Sequence, residues 1–201
     1  SLNLNQIKNI EESKKNMVNI INVEFNHTKV FSVIDVKSNS YIKKSFDISL
    51  NILKHNKECI LINGPISKKT FLKKKYLGIT EYLSKKTRTK DEVMLIYNEK
   101  LSVTPITTHI PIKYVTKKIK KKIINNKIIK LNNFYKKILK KKIKIAVLGL
   151  NPHCETIDKF NEDEKIIKPS IKYLKNKGLN INGPYSADTF FLKKNINKFD
   201  L

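Results

Sequence analysis

Residues 145–155, IAVLGLNPHCE, place a short apolar run directly before a group of polar side chains. The run 145–149 is continuous and ends at a glycine, which is typical of a strand that is covered on both faces in a parallel sheet. Asn151, His153 and Glu155 follow at once. Because ligands of open parallel sheets bind beyond the carboxyl ends of the strands, we expect a functional site at this junction.

A second strand and several helices are predicted around this junction. The apolar run 59–62 ends in the turn signal Asn63-Gly64-Pro65 and is predicted as another buried strand. The runs 92–98 and 101–111 are predicted to be extended and to form a hairpin or a close pair. Apolar residues at helical spacing predict a helix over 40–54 and two helices within 115–142 that are broken near 125–126. A further helix is predicted over 79–86, and a last helix is predicted to start near Pro169, where proline is tolerated in the first turn, and to end at Gly178, a natural C-cap. This alternation predicts an α/β fold with a mostly parallel sheet flanked by helices.

The net charge of the chain, +25 over 201 residues, first suggests a nucleic-acid-binding protein. Nearly all of this charge is lysine, and Arg88 is the one arginine. Arginine makes the forked contacts to guanine and phosphate, so its near absence disfavours nucleic acid as a partner. The lysines are mixed with abundant isoleucine and asparagine, which suggests a coding bias, and we interpret them as solvated surface.

Localisation is predicted from the cysteines and from hydropathy. Cys59 and Cys154 form no disulfide framework and no zinc motif, so a reducing cytoplasm is expected. No apolar stretch approaches the length of a membrane span and no signal peptide opens the chain, so no membrane partner is expected. The chain opens without methionine and stops at NKFDL, so both ends are expected to be truncated.

Two of the four histidines share a similar position in the sequence. His109 and His153 each follow a predicted strand and have a proline close by, which stiffens the turn that carries the imidazole. The two could share a divalent metal, or each could be a loop histidine with a backbone partner, and spacing alone leaves both interpretations open. Two histidines also make an incomplete site, because catalytic metals usually have about three protein ligands. His27 and His55 lie among polar residues and are predicted to be surface histidines.

Four motifs occur in the order of one enzyme family: NGPISKK at 63–69, TTHIP at 107–111, GLNPHCE at 149–155 and NGPYSADTFF at 182–191. From about Val30 onward the chain resembles the 4-hydroxythreonine-4-phosphate dehydrogenases. It is similar to the middle of such an enzyme, with 1–110 in the amino-terminal part and 111–201 in the second part. The resemblance implies an α/β fold similar to that of isocitrate and isopropylmalate dehydrogenases, and a homodimer whose active sites are shared between the subunits.

The resemblance also implies a reaction. This is the NAD- or NADP-dependent oxidation and decarboxylation of 4-phosphooxy-L-threonine, a small phosphorylated substrate, to 3-amino-2-oxopropyl phosphate in vitamin B6 biosynthesis. A divalent cation (zinc, magnesium or cobalt) held by three histidines would polarise the substrate hydroxyl. His109 and His153 match two of these histidines, and the third belongs to a motif that follows Leu201 in the family. The chain alone is therefore expected to bind metal weakly and to be inactive.

Further site residues are carried over motif by motif. Thr80 matches a substrate-binding threonine, whereas Ile79 replaces the histidine that the family usually has beside it. Lys68 and Asp188 lie in two of the motifs and are candidate catalytic residues, and the cofactor-binding residues stay unassigned. The Ile79 change leaves open a dehydrogenase of another phosphorylated four-carbon acid, such as threonate or erythronate phosphate. A basic nucleic-acid-binding module is the alternative from a different class.

Overall fold

A computed structural model describes residues 2–27, 29, 31–73, 75–90 and 92–201, apart from the side chains of residues 193 and 194. The chain divides into two compact units, Ser1–Arg88 and Thr89–Leu201. The predicted division near residue 110 concerned the parts of a longer dehydrogenase, and it stays a prediction.

The first unit opens with two short parallel strands that the sequence analysis did not predict. Strand β1 (Leu4–Ile7) pairs in parallel with β2 (Val18–Ile21), in register from Leu4 opposite Val18 to Ile7 opposite Ile21. Asn5 Nδ2 donates to Asn19 Oδ1 across the pair over 2.8 Å. Because asparagine interrupts both segments, neither has the continuous apolar run or the clean alternation that predicts a strand.

The structure confirms the two helices that were predicted in the first unit. Helix α1 (Asn39–His55) and helix α2 (Ile79–Thr87) pack around a small core in which Phe46, Leu72 and Tyr82 are buried. The rings of Phe46 and Tyr82 lie 5.4 Å apart between centroids. Such aromatic pairs combine a large buried area with a preferred geometry, so they stabilise a core that contains few residues.

The prediction of a buried strand at 59–62 is wrong. No strand is assigned to this segment, and within the described residues no neighbouring backbone pairs with it. Leu61 packs against the core of the first unit, but the side chains of Ile60 and Ile62 are 80% and 90% exposed. A continuous apolar run predicts burial on both faces, whereas the face of this segment that carries Ile60 and Ile62 is exposed.

The second unit contains the predicted strand that precedes the histidine turn. Strand β3 (Ile145–Leu148) pairs in parallel with β4 (Ile181–Tyr185), which confirms the run 145–149 as a strand and the parallel pairing. Between them the chain forms helix α5 (Lys168–Asn176), which contains Pro169 near its start and is followed by Gly178 at φ +81°. This confirms the last predicted helix, with the proline tolerated in the first turn.

The other edge of β3 is also hydrogen-bonded. The Ala146 N–H donates to the Leu201 carbonyl over 2.7 Å, and the Ser102 N–H donates to the Asp200 carbonyl over 2.9 Å. Ile96 and Val103 exchange two backbone hydrogen bonds of 2.8 and 2.9 Å in an antiparallel bridge. The runs 92–98 and 101–111 thus form a close pair, as predicted, and backbone hydrogen bonds link this pair to β3.

The lysine-rich region forms two helices, but the predicted break is misplaced. Helices α3 (Val115–Lys118) and α4 (Lys121–Lys137) are separated at Ile119 and Lys120, whereas Asn125 and Asn126 lie inside α4. Lys120 is extended, and Ile119 is buried in the core. Burial of the apolar face of α4 outweighs the modest helix penalty of asparagine, so tertiary packing decides where the helix begins.

The core of the second unit lies where α4 and α5 pack with the strands. Its buried members include Ile124, Ile128, Leu131 and Tyr135 of α4, Ile171 and Leu174 of α5, Ile145 of β3 and Ile181 of β4. Two short helices, α6 (Ala187–Phe190) and α7 (Lys193–Ile196), follow β4. The histidine turn therefore begins at the end of a strand that is anchored by both helices and by neighbours on both edges.

Candidate active site

The turn after β3 holds its histidine in an unusual backbone conformation. Pro152–Cys154 forms a short 3₁₀ turn in which His153 has φ +53° and ψ +16°, and Cys154 has φ +62°. Each residue with a Cβ costs about 1–2 kcal/mol in this left-handed region. Two such residues in succession persist only where surrounding contacts determine the turn, and such strain is concentrated at functional sites.

A buried carboxylate supplies part of these contacts. The Asp163 side chain is 0% exposed and accepts three hydrogen bonds from the residues just before the turn. The donors are the Leu150 N–H at 2.8 Å, the Asn151 N–H at 3.0 Å and the Asn151 side-chain amide at 3.0 Å. Asp163 therefore fixes the path of the chain between β3 and His153.

Asn161 contacts the far side of the same turn. Its Oδ1 accepts from the Asp163 N–H at 2.9 Å, and its Nδ2 donates to the Cys154 carbonyl at 3.5 Å. The space between these groups is small: a Cβ on Gly149 would lie 2.6 Å from Cys154 Sγ and 3.0 Å from Asp163 Oδ1. The glycine that ends the apolar run is therefore required by the close approach of the turn.

The His153 imidazole lies beside two polar side chains of the segment after β4. His153 Nδ1 is 3.5 Å from Ser186 Oγ and 3.8 Å from Asp188 Oδ2, and the side chain is 73% exposed. The Ser186 hydroxyl donates to Asp188 Oδ1 over 2.6 Å and lowers the pKa of the Asp188 carboxyl, and the nearby His153 lowers this pKa further. An accessible imidazole beside an ionised carboxylate is a donor set that suits a divalent cation.

Cys154 does not extend this donor set. Burial, together with the charge of Asp163, raises the pKa of the Cys154 thiol above its usual value. A neutral thiol is a poor metal ligand, because the thiolate is the form that binds. We therefore interpret Cys154 as a small packing residue behind the histidine turn.

His109 lies in the same unit and, like His153, has a positive φ. Its side chain is exposed and its φ is +53°. Across the ranges that the structure describes, no three His, Cys, Asp or Glu side chains are close enough to hold a metal ion. His109, His153 and Asp188 therefore do not make a complete metal site within one chain, and the role of both histidines stays a prediction.

The remaining predicted residues lie in the first unit. Thr80 is exposed in the first turn of α2, and Lys68 is exposed at the start of the wide turn Lys68–Leu72. A Cβ on Gly78 would lie 4.0 Å from Lys68 Nζ, so the ammonium group lies near the amino-terminal end of α2. The Ile79 side chain packs against the core that contains Phe46. The structure thus brings Lys68 towards the helix that carries Thr80.

Sequence reasoning missed Asp163, Asn161 and Ser186. Asn161 and Asp163 lie in a polar stretch before a helix, where such residues usually cap the helix or face water. Their contacts join residues 7 to 13 positions apart, and only the folded chain reveals them. Ser186 lies two residues before Asp188 in the motif NGPYSADTFF, so this motif was a usable signal for that residue.

Comparison with known proteins decides the family. The family model for the pyridoxal phosphate biosynthetic protein PdxA matches residues 1–201. The chain belongs to this family. A PdxA-family relative named 4-hydroxythreonine-4-phosphate dehydrogenase, from Sulfurihydrogenibium sp. (strain YO3AOP1), is 35% identical over 201 residues, covering 94% of this chain and 60% of the relative.

Other comparisons extend this result. A relative named D-threonate 4-phosphate dehydrogenase, from Pectobacterium atrosepticum, is 32% identical over 127 residues, covering 63% of this chain and 39% of the relative. The crystal structure of a 4-hydroxythreonine-4-phosphate dehydrogenase from Klebsiella pneumoniae has a TM-score of 0.80 at 23% identity, over 98% of this chain and 63% of that one, which shows a shared fold. The chain spans about 60% of the length of the first curated relatives it matches.

No helix within the described residues combines the length and the apolar character that crossing a membrane requires.

Proposed function

We propose that this chain is part of a dehydrogenase that oxidises and decarboxylates 4-phosphooxy-L-threonine to 3-amino-2-oxopropyl phosphate, with NAD or NADP, in the biosynthesis of pyridoxal phosphate. The observation that carries the proposal is the family match over residues 1–201, which includes the His153 turn at the carboxyl end of β3. The protein would act as a cytoplasmic homodimer with shared active sites and a fold of the isocitrate and isopropylmalate dehydrogenase type. Its two free cysteines suit a reducing compartment.

A divalent cation would be held by His109 and His153 together with ligands from elsewhere in the protein. The accessible imidazole of His153 and the neighbouring Asp188 carboxylate fit such an ion chemically. Imidazole ligands favour zinc over magnesium, and cobalt remains a candidate. When bound, the cation would supply Lewis-acid polarisation of a substrate oxygen.

The side chains of this chain would bind and orient the substrate. The exposed Lys68 ammonium is a point charge suited to phosphate, and the exposed Thr80 hydroxyl is suited to a hydrogen bond with a substrate oxygen. The Asp188 carboxylate accepts a hydrogen bond from the Ser186 hydroxyl beside His153, and this bond lowers the pKa of the Asp188 carboxyl.

A second candidate is the oxidation of another phosphorylated four-carbon acid. The relative named D-threonate 4-phosphate dehydrogenase supports this alternative. So does Ile79, whose apolar side chain packs against the core of the first unit and offers no hydrogen bond to a substrate. The nitrogen substituent of 4-phosphooxy-L-threonine is the main chemical difference between the two substrates, so their turnover separates the candidates.

The test uses the full-length gene product, purified with zinc or cobalt. Formation of NADH or NADPH is measured with 4-phosphooxy-L-threonine and with D-threonate 4-phosphate, and bound metal is measured by atomic absorption. We expect His109→Ala and His153→Ala each to lose most bound metal and at least about 100-fold in turnover. His55→Ala is the matched control, because this exposed histidine forms a hydrogen bond with the Asn51 carbonyl of its own helix and lies outside the proposed metal site. If either site variant keeps wild-type metal content and turnover, the assignment of that histidine is wrong.

A further inference from the structure

We propose that Asp163, assisted by Asn161, is a positioning residue that holds His153 in place for metal binding. This inference rests on the proposed function of His153 as a ligand. It assigns a role to a buried carboxylate that acts through its hydrogen bonds to Leu150 and Asn151, the two residues that lead into the histidine turn. Its basis is the set of contacts that Asp163 and Asn161 make on the two sides of His153.

The first argument is the burial of the Asp163 carboxylate. Burying a carboxylate costs free energy unless donors or cations compensate it. Asp163 is 0% exposed, and among the described residues no lysine, arginine or histidine forms a salt bridge with it. Its acceptors instead bind the Leu150 N–H and two N–H groups of Asn151. The buried charge is therefore directed at the segment that leads into His153.

The second argument is that the contacts flank the histidine. Asp163 binds the backbone at residues 150 and 151, while Asn161 Nδ2 reaches the Cys154 carbonyl at 3.5 Å. The Asn161 Oδ1 also accepts a hydrogen bond from the Asp163 N–H, so the two residues that contact the turn are linked to each other. Between them lie His153 and Cys154, both at positive φ. Without the hydrogen bonds of Asp163 and Asn161, we expect His153 and Cys154 to return to negative φ values.

The third argument concerns where this conformation places the imidazole. With the turn held, His153 Nδ1 lies within 3.5 Å of Ser186 Oγ and 3.8 Å of Asp188 Oδ2. A rotation of the His153 backbone away from φ +53° would carry the ring away from both side chains. Groups that orient a metal ligand commonly change metal affinity by about 10–100-fold when they are removed, although they never touch the metal.

The test is Asp163→Asn in the full-length gene product. Asparagine has nearly the same shape but presents an amide NH₂ to the donors of Leu150 and Asn151, so at least one hydrogen bond is lost. Zinc binding is measured by titration calorimetry, and amide hydrogen exchange is measured without metal. We expect zinc affinity to fall about 10–100-fold and exchange at Leu150 and Asn151 to accelerate, while exchange in α5 stays unchanged. Glu164→Gln is the matched control, because this neighbouring exposed carboxylate pairs with Lys168 and does not contact the turn.

Two further variants make every outcome decisive. His153→Ala tests the proposed function: if it keeps zinc affinity, His153 is not a ligand and the proposed metal site fails. If His153→Ala loses affinity while Asp163→Asn keeps it, the positioning role alone is wrong. Faster exchange throughout α5 with unchanged zinc affinity would show that Asp163 merely stabilises the helix, and would also overturn the inference. If Asp163→Asn does not fold, Asn161→Ala takes its place, with a smaller effect expected in the same direction.

Discussion

Gly183 of β4 passes so close to Val147 of β3 that no side chain fits between them. A Cβ on Gly183 would lie 2.3 Å from the Val147 carbonyl oxygen, and Gly183 has φ +136°, which residues with a Cβ rarely adopt. The register between the two strands shifts at this point, between Ala146 and Leu148. Gly183, in the NGPYSADTFF motif, therefore allows β3 and β4 to approach closely. The segments that follow these two strands contain His153 and Ser186.

Gly183→Ala should destabilise the protein more than Gly178→Ala. Gly178 has φ +81° with nothing within 4 Å of its Cβ position, so alanine there meets only backbone strain of about 1–2 kcal/mol. At Gly183 an added Cβ would meet a φ of +136°, which residues with a Cβ rarely adopt, and would also collide with the backbone of Val147. Urea unfolding of both variants measures the difference. Equal losses of unfolding free energy in the two variants would contradict this prediction, because they would show that β3 and β4 move apart at little energetic cost.

Tyr135→Phe should cost about 1 kcal/mol of unfolding free energy. The buried Tyr135 hydroxyl donates to Ser102 Oγ over 2.7 Å and so ties α4 to the segment beside β3. Ser102 keeps its bonds to the Asn98 backbone in the variant, which limits the loss to one hydrogen bond. Tyr173→Phe is the control, because Tyr173 is exposed on α5. The prediction fails if both substitutions have the same effect in denaturant unfolding.

Stability should fall in acid partly through Asp200. Burial alone raises the pKa of the Asp200 carboxyl, but hydrogen bonds from Lys141 and from the Lys144 N–H, together with the charges of both lysines, lower this pKa below its usual value. A lowered pKa in the folded state means that the stabilisation is complete above the unfolded pKa of about 3.9 and is lost as pH falls through the folded value.

Asp200→Asn should therefore flatten the acid side of the stability profile. Thermal unfolding followed between about pH 5 and about pH 3 should show a smaller decline in the variant than in the wild type. Asp158→Asn removes an exposed carboxylate and should leave the profile unchanged. An identical decline in wild type and Asp200→Asn would contradict the assignment.

Thr80→Val should weaken substrate use in the full-length gene product without affecting stability. Valine preserves the shape of threonine and removes one hydroxyl, so we expect kcat/KM to fall about tenfold, which corresponds to about 1.4 kcal/mol. The side chain is exposed on α2, so unfolding should hardly change. Thr116→Val, at an exposed threonine of α3, is the control. Wild-type kinetics in Thr80→Val would remove this residue from the proposed substrate site.

Local patterns predicted a large part of this fold. Apolar spacing within one segment predicted helix α1, Pro169 and Gly178 predicted the two ends of α5, and a continuous apolar run predicted strand β3. The motifs around His109, His153 and Asp188 predicted the family, and the family match over residues 1–201 confirms it. Periodicity and motifs are properties of neighbouring residues, so they can be read before any long-range contact is known.

What the sequence determined by itself is therefore the family, strand β3 and most of the helices, while the tertiary structure decided which surfaces have partners. The run 59–62 has the composition of a buried strand, yet the structure assigns no strand to it, and the side chains of Ile60 and Ile62 are exposed while Leu61 packs against the core of the first unit. Helix α4 continues through Asn125 and Asn126 because burial of its apolar face outweighs the helix penalty of the two asparagines. Likewise, the hydrogen bonds of Asp163 and Asn161 to the His153 turn span several residues of an irregular loop. Burial and pairing depend on residues distant in sequence, and only the folded chain brings these together.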